Sequence, residues 1–286
     1  MKKNQTNQEE KSLLKQSIND FCKEHALSKS AFAKRCGVSD GTLSFIENEQ
    51  WDKISDEMVQ KINSFINKVN VSDIYQNVDF LDTFAACDMA RIHHLMIGIV
   101  ADTGMGKTTT LRTYARKKNV FYVSFCKSVK AGQFFSELLC ELGVSFEGSL
   151  NEKINRAAKE LNKKDHPLLI IDEAGKITHP VMLYLQELRD KTISNCGIIL
   201  AGMPYFKTNL QKYADRQKEG CAEFLRRINV WHAFLGLSPK EVEEICRRNG
   251  VDDSDTIKSL RNIKRFGDLM NEIFLYKIRK DRMLDL

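Results

Sequence analysis

Two different periods divide the chain. Up to about residue 68, apolar side chains recur three or four positions apart. Leu14, Ile18, Phe21 and Cys22 mark one helical face, and Met58, Val59, Ile62, Phe65 and Ile66 mark another. The spacing predicts helices over 29–35, 39–47 and 55–67, after a polar stretch, 1–10, predicted to fray. Asn70 to Asn77 carries no strong period and reads as a linker, followed by a short helix over 79–90. From residue 95 short apolar runs take over, at 95–100, 120–125, 167–171, 196–201 and 228–234, with one helix predicted after each of the first three. Strands that alternate with helices build a parallel sheet covered on both faces. Beyond residue 236 the helical period returns. Ser238-Pro239-Lys240-Glu241 is a capping box with Pro at the first helical position, Gly250 is a stop signal, and helices are predicted over 254–261 and 266–280. The expected organisation is an all-helical unit at 1–68, a linker at 69–78, an α/β core at 79–235 and a helical tail at 236–286.

Composition narrows the class. The 286 residues are 42% apolar and 29% charged, enough for a sizeable core. Lys and Arg total 44 against 38 Asp and Glu, a net charge of +6, which permits a nucleic-acid partner without demanding one. No apolar run is long enough for a bilayer, and Met1 to Lys11 has no apolar core of a secretory signal, so no membrane role is expected. The eight Cys never stand at CxxC spacing and read as reduced thiols of a cytoplasmic protein.

The strongest chemical signal is Ala101-Asp102-Thr103-Gly104-Met105-Gly106-Lys107-Thr108, placed between an apolar strand and a helix. That context is what a phosphate-binding loop requires. Gly104 and Gly106 let backbone N–H groups turn inward around phosphate oxygens, and the helix N-terminus adds partial positive charge. Thr103, Met105 and Thr109 complete the cradle. Lys107 is expected to reach the β- and γ-phosphates of ATP, and the Thr108 hydroxyl to ligate Mg²⁺. Ala101 stands where the motif usually has its first Gly, so the backbone there must be conventional. A second signal is Leu168-Leu169-Ile170-Ile171-Asp172-Glu173, a buried strand ending in two carboxylates. Asp172 is expected in the Mg²⁺ shell and Glu173 to polarise the attacking water.

A phosphate loop followed by a strand that ends in adjacent Asp-Glu resembles the AAA+ ATPases, over about residues 75–286. The resemblance implies a P-loop α/β core with a helical lid, assembly into rings or filaments, and an arginine supplied to a neighbour's nucleotide. Phe224-Leu225-Arg226-Arg227-Ile228 stands where that arginine usually sits, so Arg226 and Arg227 are both candidates, and a salt-bridged or solvated pair fits the residues equally well. Two sensor positions of the family are poorly matched. Gly202-Met203-Pro204 offers no Asn or Thr, and Gly267-Asp268-Leu269-Met270 has Met where the family places Arg. Slow hydrolysis, or hydrolysis dependent on a partner, is the expectation.

Residues 29–48 resemble a Cro/repressor-type helix-turn-helix. Ala33 is small where two helices cross, Gly37 permits the turn, and Val38, Leu43 and Ile46 face inward. Ser39 caps the second helix, with Thr42 and Ser44 as candidate contacts to a DNA groove or backbone. No Lys or Arg occurs between Ser39 and Asn48, so a protein-binding use of the same unit stays open.

The combination of such a unit with one AAA+ module resembles the transposition target-selection ATPases of the Mu B, TnsC, TniB and IstB type. That resemblance implies ATP-driven assembly on duplex DNA and recruitment of a transposase. Lys127, Ser128 and Lys130, after the second strand, are candidates to face the DNA. Two other readings use the same residues: an ATP-switched transcription regulator and a helicase-loader-type ATPase.

Overall fold

A computed structural model of the chain describes residues 14–15, 17–19, 21–22, 27–66 and 74–284. The polar start and residues 69–73 of the expected linker lie outside them.

Leu14, Ile18 and Cys22 are buried with α1 (Lys29–Cys36), α2 (Asp40–Glu47) and α3 (Asp56–Ile66) around Phe32, Ile46 and Ile62. Ser28 and Ser39 cap α1 and α2, each accepting from the backbone N–H three residues on. Gly37 adopts φ +71 between these two helices, a conformation that Gly takes without strain.

The core begins with α4 (Val78–Ile92), followed by β1 (Met96–Val100), α5 (Lys107–Tyr114), β2 (Val120–Ser124), α6 (Ala131–Glu141), α7 (Leu150–Asn162) and β3 (Leu168–Asp172). Then come α8 (His179–Thr192), β4 (Gly197–Gly202), α9 (Pro204–Asp215), α10 (Cys221–Arg227) and β5 (Val230–Ala233). The five strands pair in parallel in the order β2-β3-β4-β1-β5. β1, β3 and β4 are buried throughout, so their sequences read as unbroken apolar runs. Alternate residues face opposite layers. Met96, Val123, Leu169, Ile171 and Ile198 pack beneath α6, α7 and α8, while Ile97, Ile99, Leu168, Ile170 and Ile199 pack with residues of α4 and α5. Gly98 lies under the Trp231 ring, which a Cβ there would meet at 2.4 Å.

Two helices, not one, separate β2 from β3. The break is written locally: Gly143 adopts φ +78, and Ser149 with Glu152 forms a reciprocal capping box that starts α7. Two more helices, α9 and α10, fill the interval between β4 and β5.

The lid comprises α11 (Pro239–Arg248), α12 (Ser254–Leu260) and α13 (Phe266–Leu284) around Leu237, Val242, Cys246 and Leu269. The predicted capping box forms, with Glu241 Oε2 accepting from Ser238 N at 2.7 Å. Segment 74–77 is fastened to this lid. Tyr75 donates to Glu244 at 2.8 Å under the Arg248 guanidinium, and Val78 N donates to Glu241 at 2.9 Å. The core–lid junction is clamped by Asp79, whose two oxygens accept from Leu235 N and Gly236 N, both at 2.8 Å. No helix among the described residues is long and apolar enough to cross a membrane.

Candidate active site

Because the strands are parallel, their C-terminal ends lie along one edge of the sheet, where ligands of such sheets bind. β1 delivers the glycine loop to that edge and β3 delivers Asp172. Ala101 continues the β1–β4 ladder, donating to Gly202 O at 3.1 Å, and keeps an ordinary backbone. Gly104 and Gly106 then take φ +75 and +89. A Cβ at Gly106 would meet nothing within 4 Å, so the backbone angle, and not space, requires glycine there. Gly106 caps α5 without a side-chain hydrogen bond, which leaves the first N–H groups of the helix open to an anion. Thr103 and Gly104 are exposed and Met105 half-buried at the rim of this cradle.

Lys107 is buried, and its Nζ stands 3.5 Å from Asp172 Oδ1. Thr108 Oγ1 donates to Asp172 Oδ2 at 2.7 Å. Glu173 N donates to Oδ1 at 2.8 Å. The fully buried Asp172 thus gathers donors from α5 and from its own strand end, as a polar group in the interior requires. Sequence reasoning missed the remaining donor: Tyr122 on β2 gives its hydroxyl to Asp172 Oδ2 at 2.9 Å. Burial, with the Asp172 charge beside it, pushes the Tyr122 hydroxyl up to about 12, so it stays a donor. The Arg112 guanidinium lies 5.2 Å from the centre of the Tyr122 ring. A polar tip in the middle of an otherwise apolar strand, beside a strand that ends in Asp, was the available signal.

Glu173 sits at φ +58, in the left-handed region that glutamate seldom adopts. Its carboxylate is paired with Lys176 at 3.0 Å, and that contact holds the Lys176 ammonium above its usual value. From the lid, Gly267 N donates to Gly104 O at 2.7 Å, and a Cβ at Gly267 would come within 3.3 Å of Gly104. Arg265 stands 3.8 Å from Asp102. Met270, at the family's arginine position, packs against the lid cluster. The glycine cradle, the buried ammonium and the paired hydroxyl and carboxylate oxygens fit a nucleotide phosphate with a hard divalent cation.

Residues 91–210 match the family model of an AAA domain. The α/β part of the chain has the fold of a P-loop AAA core. No protein of curated function matches it. Among solved structures, DnaA from Aquifex aeolicus bound to AMPPCP is similar at 19% identity and a TM-score of 0.51, over 77% of this chain and 70% of that one. A Walker-type ATPase of Pyrococcus abyssi is similar at 12% identity and a TM-score of 0.48, over 69% of this chain and 66% of that one. The likeness to DnaA is one of fold.

The other candidate residues do not take part in these contacts around Asp172. Arg226 and Arg227 end α10, next to the start of β5, where Asn229 N donates to Met96 O at the opening of β1. They are therefore at the opposite edge of the sheet from the chain's own phosphate loop, a five-residue strand or about 16 Å away. The two differ. Arg227 holds Asp190 through Nε at 2.9 Å and a second nitrogen at 2.7 Å, whereas Arg226 is exposed with no such partner. Lys127, Ser128 and Lys130 are exposed beyond the end of β2, and Ser128 contacts Cys126 at 3.2 Å. In the N-terminal unit, Ser39 Oγ and Thr42 Oγ1 are 2.9 Å apart, and exposed Ser44 is 3.4 Å from Asn48. Lys29 pairs with Glu47, the last residue of α2.

Proposed function

We propose that this chain is an ATPase that binds ATP with Mg²⁺, assembles on duplex DNA as a ring or helical filament, and selects targets for a transposase that it activates. The observation that carries the ATPase reading is the convergence of Lys107, Thr108 and Tyr122 on buried Asp172 beneath the glycine cradle. The DNA reading rests on a helix-turn-helix-like unit joined to such a core, and on exposed Lys127 and Lys130 at the same sheet edge.

In this reading the N–H groups of 104–109 orient the triphosphate and Lys107 neutralises its β/γ oxygens. Thr108 and Asp172 would hold Mg²⁺, which adds positive charge where negative charge develops. Glu173 turns off Lys176 and accepts the proton of the attacking water at its carboxylate. Arg226, free of the tie that holds Arg227, is the residue offered to a neighbouring copy. The lid presents no arginine at position 270, which supports slow turnover raised by DNA or by the transposase.

The test is negative-stain electron microscopy with random-sequence duplex DNA, in ATP and in ADP. Expected are assemblies with ATP that persist with Glu173→Gln and vanish with Lys107→Ala. Discrete particles or bare DNA in ATP would overturn the filament reading and favour an operator-binding regulator or a helicase loader.

A further inference from the structure

A cleft of about 690 Å³ lies between the N-terminal helices and α5. It adjoins the phosphate cradle, since Thr108 and Thr109 line it, but the loop glycines, Lys107 and Asp172 do not. The outward face of α5 forms one wall, with Thr108 and Arg112 one turn apart and Arg116 just past the helix end, while Lys107, Leu111 and Tyr114 turn inward. The other wall belongs to Arg35, Lys61 and Phe65, with Tyr122 of β2 between the two.

Among the described residues the lining carries Arg35, Lys61, Arg112 and Arg116 and one carboxylate, Glu141. That carboxylate is already taken by Arg35 at 2.7 Å. Arg35 Nε is buried with no hydrogen-bond partner, a donor unsatisfied within the protein. The Lys61 ammonium makes one bond, to Gly37 O, of the three it can donate. Burial lowers the Arg116 guanidinium below its usual value, so this cation too is held in a desolvating place. A concave surface with cations in excess and a buried orphan donor selects an anion. Phe65 and Tyr122 add aromatic surface for a planar group, and the volume is that of an ordinary ligand site.

We propose that this cleft is a second anion site that takes a phosphate-bearing nucleotide unit, either a free nucleotide or one unit of a nucleic-acid strand. The phosphate sits among Arg35, Lys61 and Arg112, and the base lies against the rings. Because Arg112 also rests on Tyr122, and Tyr122 holds Asp172, an occupant of the cleft is felt at the carboxylate that would hold Mg²⁺. The site stands apart from the transposition reading, and the two fail separately.

The test uses the full chain saturated with ADP and Mg²⁺, so that the phosphate loop is filled. A labelled oligothymidylate of about ten nucleotides is titrated by anisotropy across a salt series, with the dinucleotide pTpT as competitor. Lys61→Glu and Arg112→Gln are each expected to weaken binding at least about fivefold and to lower the salt slope by about one. Lys240→Glu with Lys258→Glu, exposed lid lysines outside the cleft, is expected to leave this binding within about twofold. Displacement by pTpT identifies a free-nucleotide site, and retention of the long strand alone identifies a strand site. Independently of the variants, a wild-type strand carrying 4-thiothymidine is expected to crosslink to peptides of α3 or α5. No binding, wild-type affinity in both cleft variants, or crosslinks confined to other peptides would overturn the proposal. ATP-dependent assembly on duplex DNA, read in parallel, separates that failure from failure of the proposed function.

Discussion

Among the described residues two aspartates are almost wholly buried, Asp172 at 0% exposure and Asp79 at 2%, and their surroundings differ in kind. Asp79 accepts only from the backbone, at Leu235 and Gly236, and fixes the junction between core and lid. Asp172 accepts mainly from side chains, Lys107, Thr108 and Tyr122, each of which can turn toward something else. Backbone donors cannot leave without unfolding the junction, whereas side-chain donors can be handed to a ligand. One carboxylate is built as a rivet and the other as a loaded site.

Substitutions sharpen that contrast. The largest effect is expected at the strand end: Glu173→Gln lowers the rate of ATP hydrolysis by about 10²- to 10⁴-fold while nucleotide binding and melting temperature hold, measured by phosphate release and calorimetry. Tyr122→Phe removes one donor from Asp172 and leaves the ring packed. A loss of about tenfold in activity is expected, with little change in stability. A drop in melting temperature without loss of activity would assign Tyr122 to the scaffold. Asp79→Ala should behave in the opposite sense. It leaves two N–H groups without their acceptor and costs about 1–3 kcal/mol, read by denaturant unfolding. The smallest effect belongs to the arginine pair. Arg227→Ala breaks a partly exposed ion pair with Asp190 and is expected to cost about 0.2–1 kcal/mol. Arg226→Ala is expected to leave the stability of the single chain unchanged and to lower DNA-stimulated hydrolysis. Equal losses of stability from both would erase the distinction between them.

Much of the AAA core was legible in the sequence because its strands are buried on both faces. Apolar runs such as Leu168–Ile171 have no other economical reading beside a glycine loop, and the predicted ranges fall within two residues of the observed strands. The break between α6 and α7 was less visible, since Phe134 to Leu139 and the later Ile154 to Leu161 keep the same helical period; only Gly143 and the Ser149 cap interrupt it. Asp79 was not legible at all. Its partners lie more than 150 residues along the chain, as backbone atoms with no side-chain signature. Tyr122 gains its role only from β3 beside it, which brings Asp172 within reach of its hydroxyl. Arg226 and Arg227 are neighbours of one type, and only the position of Asp190 separates them.

The left-handed backbone at Glu173 gives the molecule a mutational direction. Glycine at that position adopts φ +58 without strain, so Glu173→Gly would relax the turn while deleting the carboxylate. A population of this chain screened only for robustness would drift toward that replacement, and one screened for turnover would hold against it. If Glu173 activates water as proposed, folding and chemistry select in opposite directions at this one position.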